Sequence, residues 1–164
     1  MRYNSITTCD ICNGLGIGVI LWCQGCELHC PGCHNKETWD FNGGTPFSQK
    51  TKDLILAELD KPYIDRLTLS GGHPLAKDNL NEMTAFCKQV KEKYPNKTIW
   101  VYTGLHFEDI KSYEILRYIN VLVDGPFVQE ERDITLAFRG SRNQRIIDVP
   151  KSLQAKKTIL LEVQ

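Results

Sequence analysis

Six of the chain's seven cysteines lie within residues 9–33, and this clustering limits the possible folds and chemistry more than any other feature. Its densest part runs Cys23-Gln24-Gly25-Cys26-Glu27-Leu28-His29-Cys30-Pro31-Gly32-Cys33. Thiolates are soft ligands for zinc and for iron–sulfur clusters, and several in one loop can converge on one centre without long-range folding. In a reducing compartment such cysteines are more often metal ligands or redox groups than disulfides. The sequence therefore predicts a metal centre.

The cysteine spacing leaves two kinds of metal site open. The pairs Cys9-x2-Cys12 and Cys30-x2-Cys33 are separated by seventeen residues, which fits a zinc site built from two C-x2-C knuckles. The set Cys26-x3-Cys30-x2-Cys33 instead offers three thiolates, which would leave one iron of a cubane cluster open for catalysis. The first site indicates a non-catalytic zinc-binding adaptor and the second an enzyme. An apolar run at 17–22, typical of a buried strand, interrupts the zinc pattern and favours the cluster.

Length and composition indicate one globular unit. The chain has 164 residues, 41% hydrophobic and 24% charged, so we expect a single domain over residues 1–164. Twenty basic residues balance twenty acidic ones, and no net charge favours nucleic acid or an anionic membrane. The sequence begins without the apolar run of a signal peptide, and no segment approaches ~18 consecutive apolar residues. We expect a cytoplasmic protein that binds neither nucleic acid nor membranes.

Apolar strands alternate with helical patterns along the chain. Strands are predicted at 17–22, 66–70, 98–103, 121–123 and 158–163. Helices are predicted from the N-cap Ser48 to before Pro62, from the N-cap Asp78 to before Pro95, and through Ile110–Ile119. This alternation predicts βαβ units, hence an α/β fold with a mostly parallel sheet. Ligands bind at the carboxyl edge of such sheets, where the cysteine loop and three glycine-containing turns at 70–72, 103–104 and 124–125 fall.

Several motifs in order carry a resemblance to a known family. The C-x3-C-x2-C motif after a first strand resembles that of the radical S-adenosylmethionine superfamily. Five segments occur in sequence: 30–39, 70–75, 100–104, 121–127 and 138–145. Over about residues 3–147, this set resembles the activating enzymes of anaerobic ribonucleoside-triphosphate reductase. The ordered set is far more specific than any single motif.

This resemblance implies a 4Fe-4S cluster on Cys26, Cys30 and Cys33, with no catalytic residue beyond these ligands. The open iron would bind the amino and carboxylate groups of S-adenosylmethionine, whose reductive cleavage gives a 5′-deoxyadenosyl radical. That radical would take a hydrogen atom from a glycine of the large reductase subunit and leave a glycyl radical there. The family also implies a flavodoxin-like electron donor and an incomplete α/β barrel whose open side admits a partner loop. Activation of another glycyl-radical enzyme, of the formate-lyase type, is the alternative.

The resemblance also implies an S-adenosylmethionine site beside the cluster. Its expected residues are Gly32, Cys33, His34, Gly71, Gly72, His73 and Thr103. The glycine pair would let the backbone approach the methionine moiety, and the His34 ring would pack near adenine unless it is simply a surface histidine. His73 stands where the superfamily usually has an acidic residue. Only a neutral imidazole nitrogen can accept a hydrogen bond from an ammonium, so we expect substrate affinity to fall as His73 is protonated.

Three arginines form a further candidate site. Arg139, Arg142 and Arg145 recur every third residue near a glycine and two amides, a composition that suits contacts with anions or carboxylates. A solvated face is the commoner meaning of such spacing. We hypothesise that this segment docks the reductase.

Overall fold

Seven strands form one sheet in the computed structural model, which describes residues 1–163. The strands are β1 Arg2–Asp10, β2 Gly18–Cys23, β3 Thr45–Pro46, β4 Arg66–Gly71, β5 Thr98–Tyr102, β6 Val121–Asp124 and β7 Arg145–Asp148. Three α-helices accompany them: α1 Gln49–Leu59, α2 Lys77–Lys93 and α3 Val149–Ala155. The strand order is β3-β1-β2-β4-β5-β6-β7. The fold is thus mixed α/β, with an open sheet whose two edges are β3 and β7.

The four central strands are parallel. β2 pairs with β4, β4 with β5, and β5 with β6, all in the same direction. The flanking strands β1, β3 and β7 are antiparallel to their neighbours. The expectation of a parallel sheet is therefore confirmed for its centre, where the carboxyl ends of four strands share one edge.

The core lies between the sheet and its helices. Val19, Leu21, Leu67 and Leu69 are fully buried in the central strands. The helices contribute buried side chains from one face, among them Ile55, Leu59, Met83, Phe86, Cys87 and Val90. A central parallel strand is covered on both faces, which explains the nearly continuous apolar runs. Cys87 faces this core as expected, and burial raises the pKa of its thiol.

Two helix starts test the capping predictions. The Ser48 hydroxyl accepts a hydrogen bond from the Thr51 N–H at 3.4 Å, so the predicted N-cap of α1 is confirmed. The predicted N-cap of α2 is wrong: Asp78 lies in its first turn, and Ala76 occupies the cap position. A carboxylate in the first turn still interacts favourably with the helix dipole.

Two predicted elements differ in the structure. Instead of a helix through Ile110–Ile119, the chain forms two 3-10 turns at Phe107–Asp109 and Glu114–Arg117. Tyr113 is extended between them, and the apolar side chains on either side still reach the core. The segment 158–163 contributes a single bridge, between Leu160 and Ile147, instead of a strand. Leu160 is 58% exposed, so pairing there would bury too little apolar surface to offset the cost of ordering the backbone.

Strands β1, β3 and β7 and helix α3 were not predicted. β1 is only partly buried, and its sequence mixes polar and apolar residues without strict alternation. Within residues 1–163, every helix is too short or too polar to cross a membrane.

Candidate functional site

A cavity of about 140 Å³, here called the cysteine cavity, lies at the carboxyl edge of the parallel strands. Seven of the nine residues expected to bind the cluster or the substrate line it: Cys26, Cys30, Cys33, Gly71, Gly72, His73 and Thr103. A larger cavity of about 630 Å³ lies near Leu15 and Trp100, and neither cysteine nor histidine lines it. The cysteine cavity is therefore where the chemically active side chains meet.

The segment 24–40, here called the cysteine loop, is fastened at both ends. The N–H groups of Gly25 and Cys26 donate to the carbonyls of Thr38 and Trp39 at 2.8 and 3.0 Å. The buried Gln24 amide donates to two further carbonyls of the same loop, at 3.1 and 2.8 Å. Gly25 has a φ of +93°, a conformation that glycine adopts without strain. These contacts close the loop as it leaves β2.

The three candidate cluster ligands differ in exposure. Cys26 is buried, whereas Cys30 and Cys33 are partly exposed. Burial raises the pKa of the Cys26 thiol, and hydrogen bonds from the Leu28 and His29 backbone oppose that rise. The Cys33 sulfur accepts from the Asn35 N–H at 3.4 Å. Backbone N–H groups thus already point at two of the sulfurs, as hydrogen bonds to metal-bound thiolates would require.

The composition of the cavity fits an iron–sulfur cluster better than a single ion. Three thiols line it, and no other cysteine of the described chain does. Nowhere in residues 1–163 are three His, Cys, Asp or Glu side chains gathered as ligands of one metal ion. A cluster binds each thiolate through a different iron and so requires no such close gathering.

The fold separates the two halves of the alternative zinc site. Strand register pairs Asp10 with Gly18 and Tyr3 with Cys23, so Cys9 lies beside the beginning of β2. The cysteine loop follows the other end of β2, roughly 17 Å away at ~3.3 Å per residue. Zinc–sulfur bonds are only about 2.3 Å long. The two C-x2-C pairs therefore do not form one four-cysteine site.

The glycine pair packs directly on the cysteine loop. Gly71 has a φ of +96°, and a Cβ there would lie 2.8 Å from backbone atoms of Cys23. A Cβ on Gly72 would lie 2.6 Å from the carbonyl oxygen of Gly25. The Gly72 N–H donates to the Cys23 carbonyl at 2.8 Å. Close backbone approach thus requires glycine at both positions, in addition to any role in binding a ligand.

His73 is 1% exposed, and both of its ring nitrogens are engaged. Nδ1 lies 2.9 Å from Oε1 of Glu27, and Nε2 lies 2.8 Å from Oγ1 of Thr103. Burial lowers the pKa of His73, although Glu27 partly opposes this. The imidazole therefore has no unoccupied nitrogen for a substrate ammonium. Sequence reasoning missed Glu27; its signal was a carboxylate placed between two predicted ligands.

Gly32 and His34 lie outside the cysteine cavity. His34 is exposed and lines a second cavity of about 360 Å³, here called the outer cavity. The two cavities share Asn35, Ser70, Tyr102, Phe127 and Gln144. Gly32 has a φ of +74° and packs against the Gln129 side chain. His34 thus lies in a cavity that adjoins the predicted cluster site and shares five lining residues with it.

The three arginines do not form one surface. Arg145 donates to the buried Asp124 carboxylate at 2.9 Å and also binds Glu108, so it stabilises the fold. Arg139 lines the outer cavity, where its buried Nε has no hydrogen-bond partner among the described residues. Arg142 is 61% exposed and lies 3.9 Å from Asp133. Only Arg139 and Arg142 remain available to a ligand or partner.

Comparison with known proteins gives a consistent result. The family model described as a 4Fe-4S single cluster domain matches residues 12–147. A Salmonella typhi protein is 41% identical over 88% of this chain and 96% of its own length. Proteins of Pasteurella multocida (42% identical, 89% and 96% covered) and Escherichia coli (39%, 88% and 96%) are similarly close. All three are named anaerobic ribonucleoside-triphosphate reductase-activating protein.

Proposed function

Because the chain belongs to the family of anaerobic ribonucleoside-triphosphate reductase-activating proteins, we propose that it activates such a reductase by radical S-adenosylmethionine chemistry. The observation that carries this proposal is the set of three thiols, without a fourth, on one cavity at the sheet edge. Three ligands leave one iron of a 4Fe-4S cluster open to substrate.

Cys26, Cys30 and Cys33 are proposed to hold that cluster. When bound, it supplies the electron that breaks a carbon–sulfur bond of S-adenosylmethionine and so yields the 5′-deoxyadenosyl radical. The chain's own groups fix the thiols: Asn35 donates to the Cys33 sulfur, and the loop backbone donates to Cys26. A flavodoxin-like protein is the proposed electron donor.

The substrate is proposed to lie between the cysteine loop and the strand ends. Gly71, Gly72 and Thr103 all line the cysteine cavity together with the three cysteines. His34 is proposed to pack near adenine, because the outer cavity that it lines adjoins the cysteine cavity. Gly32 and Cys33 complete the proposed contacts. Both ring nitrogens of His73 are already hydrogen-bonded. His73 is therefore proposed to contribute to the substrate site by packing and not by a hydrogen bond to the substrate ammonium.

The partner is proposed to approach through the outer cavity. Its walls include the exposed Ile134 and the Arg139 Nε, which has no hydrogen-bond partner within residues 1–163. Because the outer cavity shares lining residues with the cysteine cavity, a glycine of the large reductase subunit bound there would lie next to the radical. Within this proposal the open sheet acts as an incomplete barrel, residues 1–164 form one cytoplasmic domain, and neither nucleic acid nor a membrane takes part.

Radical transfer to the reductase tests this function. The protein is reconstituted with iron and sulfide without oxygen, reduced with dithionite, and mixed with S-adenosylmethionine and the large subunit. We expect a glycyl radical on that subunit by electron spin resonance. Formation of 5′-deoxyadenosine without that radical would assign another partner, such as a formate-lyase type enzyme. A colourless protein that binds zinc would support the adaptor instead.

A further inference from the structure

Glu27 makes an unusual contact for a residue of the cysteine loop. It follows Cys26 directly and precedes Cys30 by three positions. Its side chain is 48% exposed, yet one carboxylate oxygen reaches the nearly inaccessible His73 ring at 2.9 Å. A surface carboxylate that contacts a buried group is held in one place by that group.

The hydrogen-bond roles in this contact are determined by chemistry. An ionised carboxylate only accepts hydrogen bonds, so the Nδ1 of His73 carries the hydrogen and donates to Glu27. The Nε2 of a neutral ring must then accept, which makes the Thr103 hydroxyl its donor. The Thr103 oxygen in turn accepts from the Leu105 N–H at 3.1 Å. One continuous chain of hydrogen bonds therefore joins the cysteine loop to the ends of β4 and β5.

The backbone of His73 is held as firmly as its ring. Its N–H donates to the Gly25 carbonyl at 2.8 Å. The Asn79 amide donates to the carbonyls of both His73 and Gln24, at 3.0 and 3.1 Å. Asn79 belongs to α2 and is 1% exposed. His73 is thus a rigid anchor whose position does not depend on Glu27.

The turn between the first two cysteines has few other attachments. Within residues 27–32 of the described chain, the contact between Glu27 and His73 is the one side-chain hydrogen bond to a residue outside the cysteine loop. His29 stacks on Trp39 with ring centroids 4.4 Å apart, but both rings belong to the cysteine loop. Without the Glu27 contact, the turn would be held only by packing, chiefly of Leu28 against Gly104 and of Gly32 against Gln129.

We propose that Glu27 and His73 form a latch that fixes the turn between Cys26 and Cys30 against the ends of β4 and β5, and so positions these two thiols for the cluster. The inference rests on the proposed function, in which those cysteines bind iron. Both residues act through the cysteines and are positioning residues.

Iron release tests the latch. Reconstituted protein is mixed anaerobically with an iron chelator, and the loss of cluster absorbance is followed. Glu27→Ala removes a charge-assisted hydrogen bond and is expected to release iron about fivefold faster. Glu27→Gln keeps an acceptor oxygen for Nδ1–H and is expected to stay within about twofold of wild type. Glu37→Ala, which changes an exposed carboxylate of the same loop, is the matched control and is expected to release iron at the wild-type rate.

A second readout separates positioning from general loss of structure. The spin-resonance spectrum of the reduced cluster is expected to change in Glu27→Ala and to be restored in Glu27→Gln, while the thermal midpoints of both apoproteins stay close to wild type. Wild-type rates in Glu27→Ala, or equal acceleration in Glu27→Gln, would overturn the latch alone. A wild-type protein that takes up no iron would overturn the latch together with the proposed function.

Discussion

Arg66, at the beginning of β4, is a charged side chain with no solvent exposure. Its guanidinium binds the Asp10 carboxylate at 2.5 Å and the Thr68 hydroxyl at 3.0 Å. Burial by itself raises the pKa of Asp10, but hydrogen bonds from Arg66 and Asn13 outweigh it and bring the pKa below its usual value. An ion pair therefore fastens the end of β1 to the beginning of β4.

Asp10→Ala is expected to destabilise the protein by about 3 kcal/mol or more, because it leaves a buried cation without its partner. Urea denaturation of the apoprotein measures the loss. Asp60→Ala, at an exposed carboxylate after α1, serves as control and is expected to change stability by less than about 0.5 kcal/mol. Equal effects of the two substitutions would show that the ion pair contributes nothing.

Gly72→Ala is expected to displace the cysteine loop, since the added Cβ would meet the carbonyl oxygens of Gly25 and Thr38 at 2.6 and 2.9 Å. Backbone atoms move less easily than side chains, so we expect a stability loss of about 1–3 kcal/mol and lower iron content after reconstitution. Gly140→Ala, whose Cβ would meet side chains and not backbone, the Phe127 ring at 3.2 Å and the Gln144 amide oxygen at 3.6 Å, should retain its iron. A full complement of iron in Gly72→Ala would contradict this account of the glycine pair.

Among the elements, the central strands were the most predictable. Continuous apolar runs such as residues 17–22 are typical of a strand covered on both faces, and the sheet forms there as predicted. The segment Ile110–Ile119 has helical apolar spacing, and Ile110, Leu116 and Ile119 are buried, but two short 3-10 turns form in this region instead of a helix. The spacing of apolar residues indicates which side chains face the core, but it does not determine whether an α-helix or shorter turns place them there.

The end of the chain depends on side-chain contacts that spacing does not encode. Glu108, after β5, joins Arg145 of β7 and Thr158 near the C-terminus. Hydrogen bonds from Arg145 and then from Thr158 lower the pKa of Glu108 to about 2. These partners are 37 and 50 positions away in sequence. Contacts between residues so far apart in sequence cannot be predicted from a local sequence pattern.

Acid should weaken this junction. The folded-state pKa of Glu108 lies below the ordinary carboxyl value, so its contribution to stability is present above about pH 4.5 and is lost as the pH falls toward 2. We expect the stability advantage of wild type over Glu108→Gln to shrink between pH 5 and pH 3 in urea denaturation. Glu92→Gln, at an exposed position of α2, should show no such trend. An advantage that does not depend on pH would contradict this assignment.

On the scale of the whole molecule, the parallel strands explain why the site could be located from the sequence. Their carboxyl ends share one edge, so the cysteine loop and the turns after β4 and β5 had to converge, and the cavity lies there. The contact between Glu27 and His73 could not be predicted, because it depends on how the cysteine loop folds back over β4. The different roles of Arg139, Arg142 and Arg145 likewise follow only from their neighbours in space.

Arg142 is exposed and lies 3.9 Å from Asp133, which lines the outer cavity. Arg142→Glu is expected to reduce glycyl-radical formation on the reductase at least about tenfold, while leaving 5′-deoxyadenosine formation in the absence of the partner unchanged. Arg117→Glu reverses an exposed charge in the turn that packs against α2, away from the cavity, and should activate normally. Loss of the cluster in Arg142→Glu would refute this separation of docking from chemistry.

The most direct test of the central claim is the formation of 5′-deoxyadenosine by the fully reconstituted protein under dithionite and S-adenosylmethionine. The account predicts a brown protein with a 4Fe-4S cluster that forms this product, and predicts its loss when Cys26, Cys30 or Cys33 is replaced by alanine but not when Cys9 or Cys12 is. A protein with a complete cluster that forms no 5′-deoxyadenosine would contradict it.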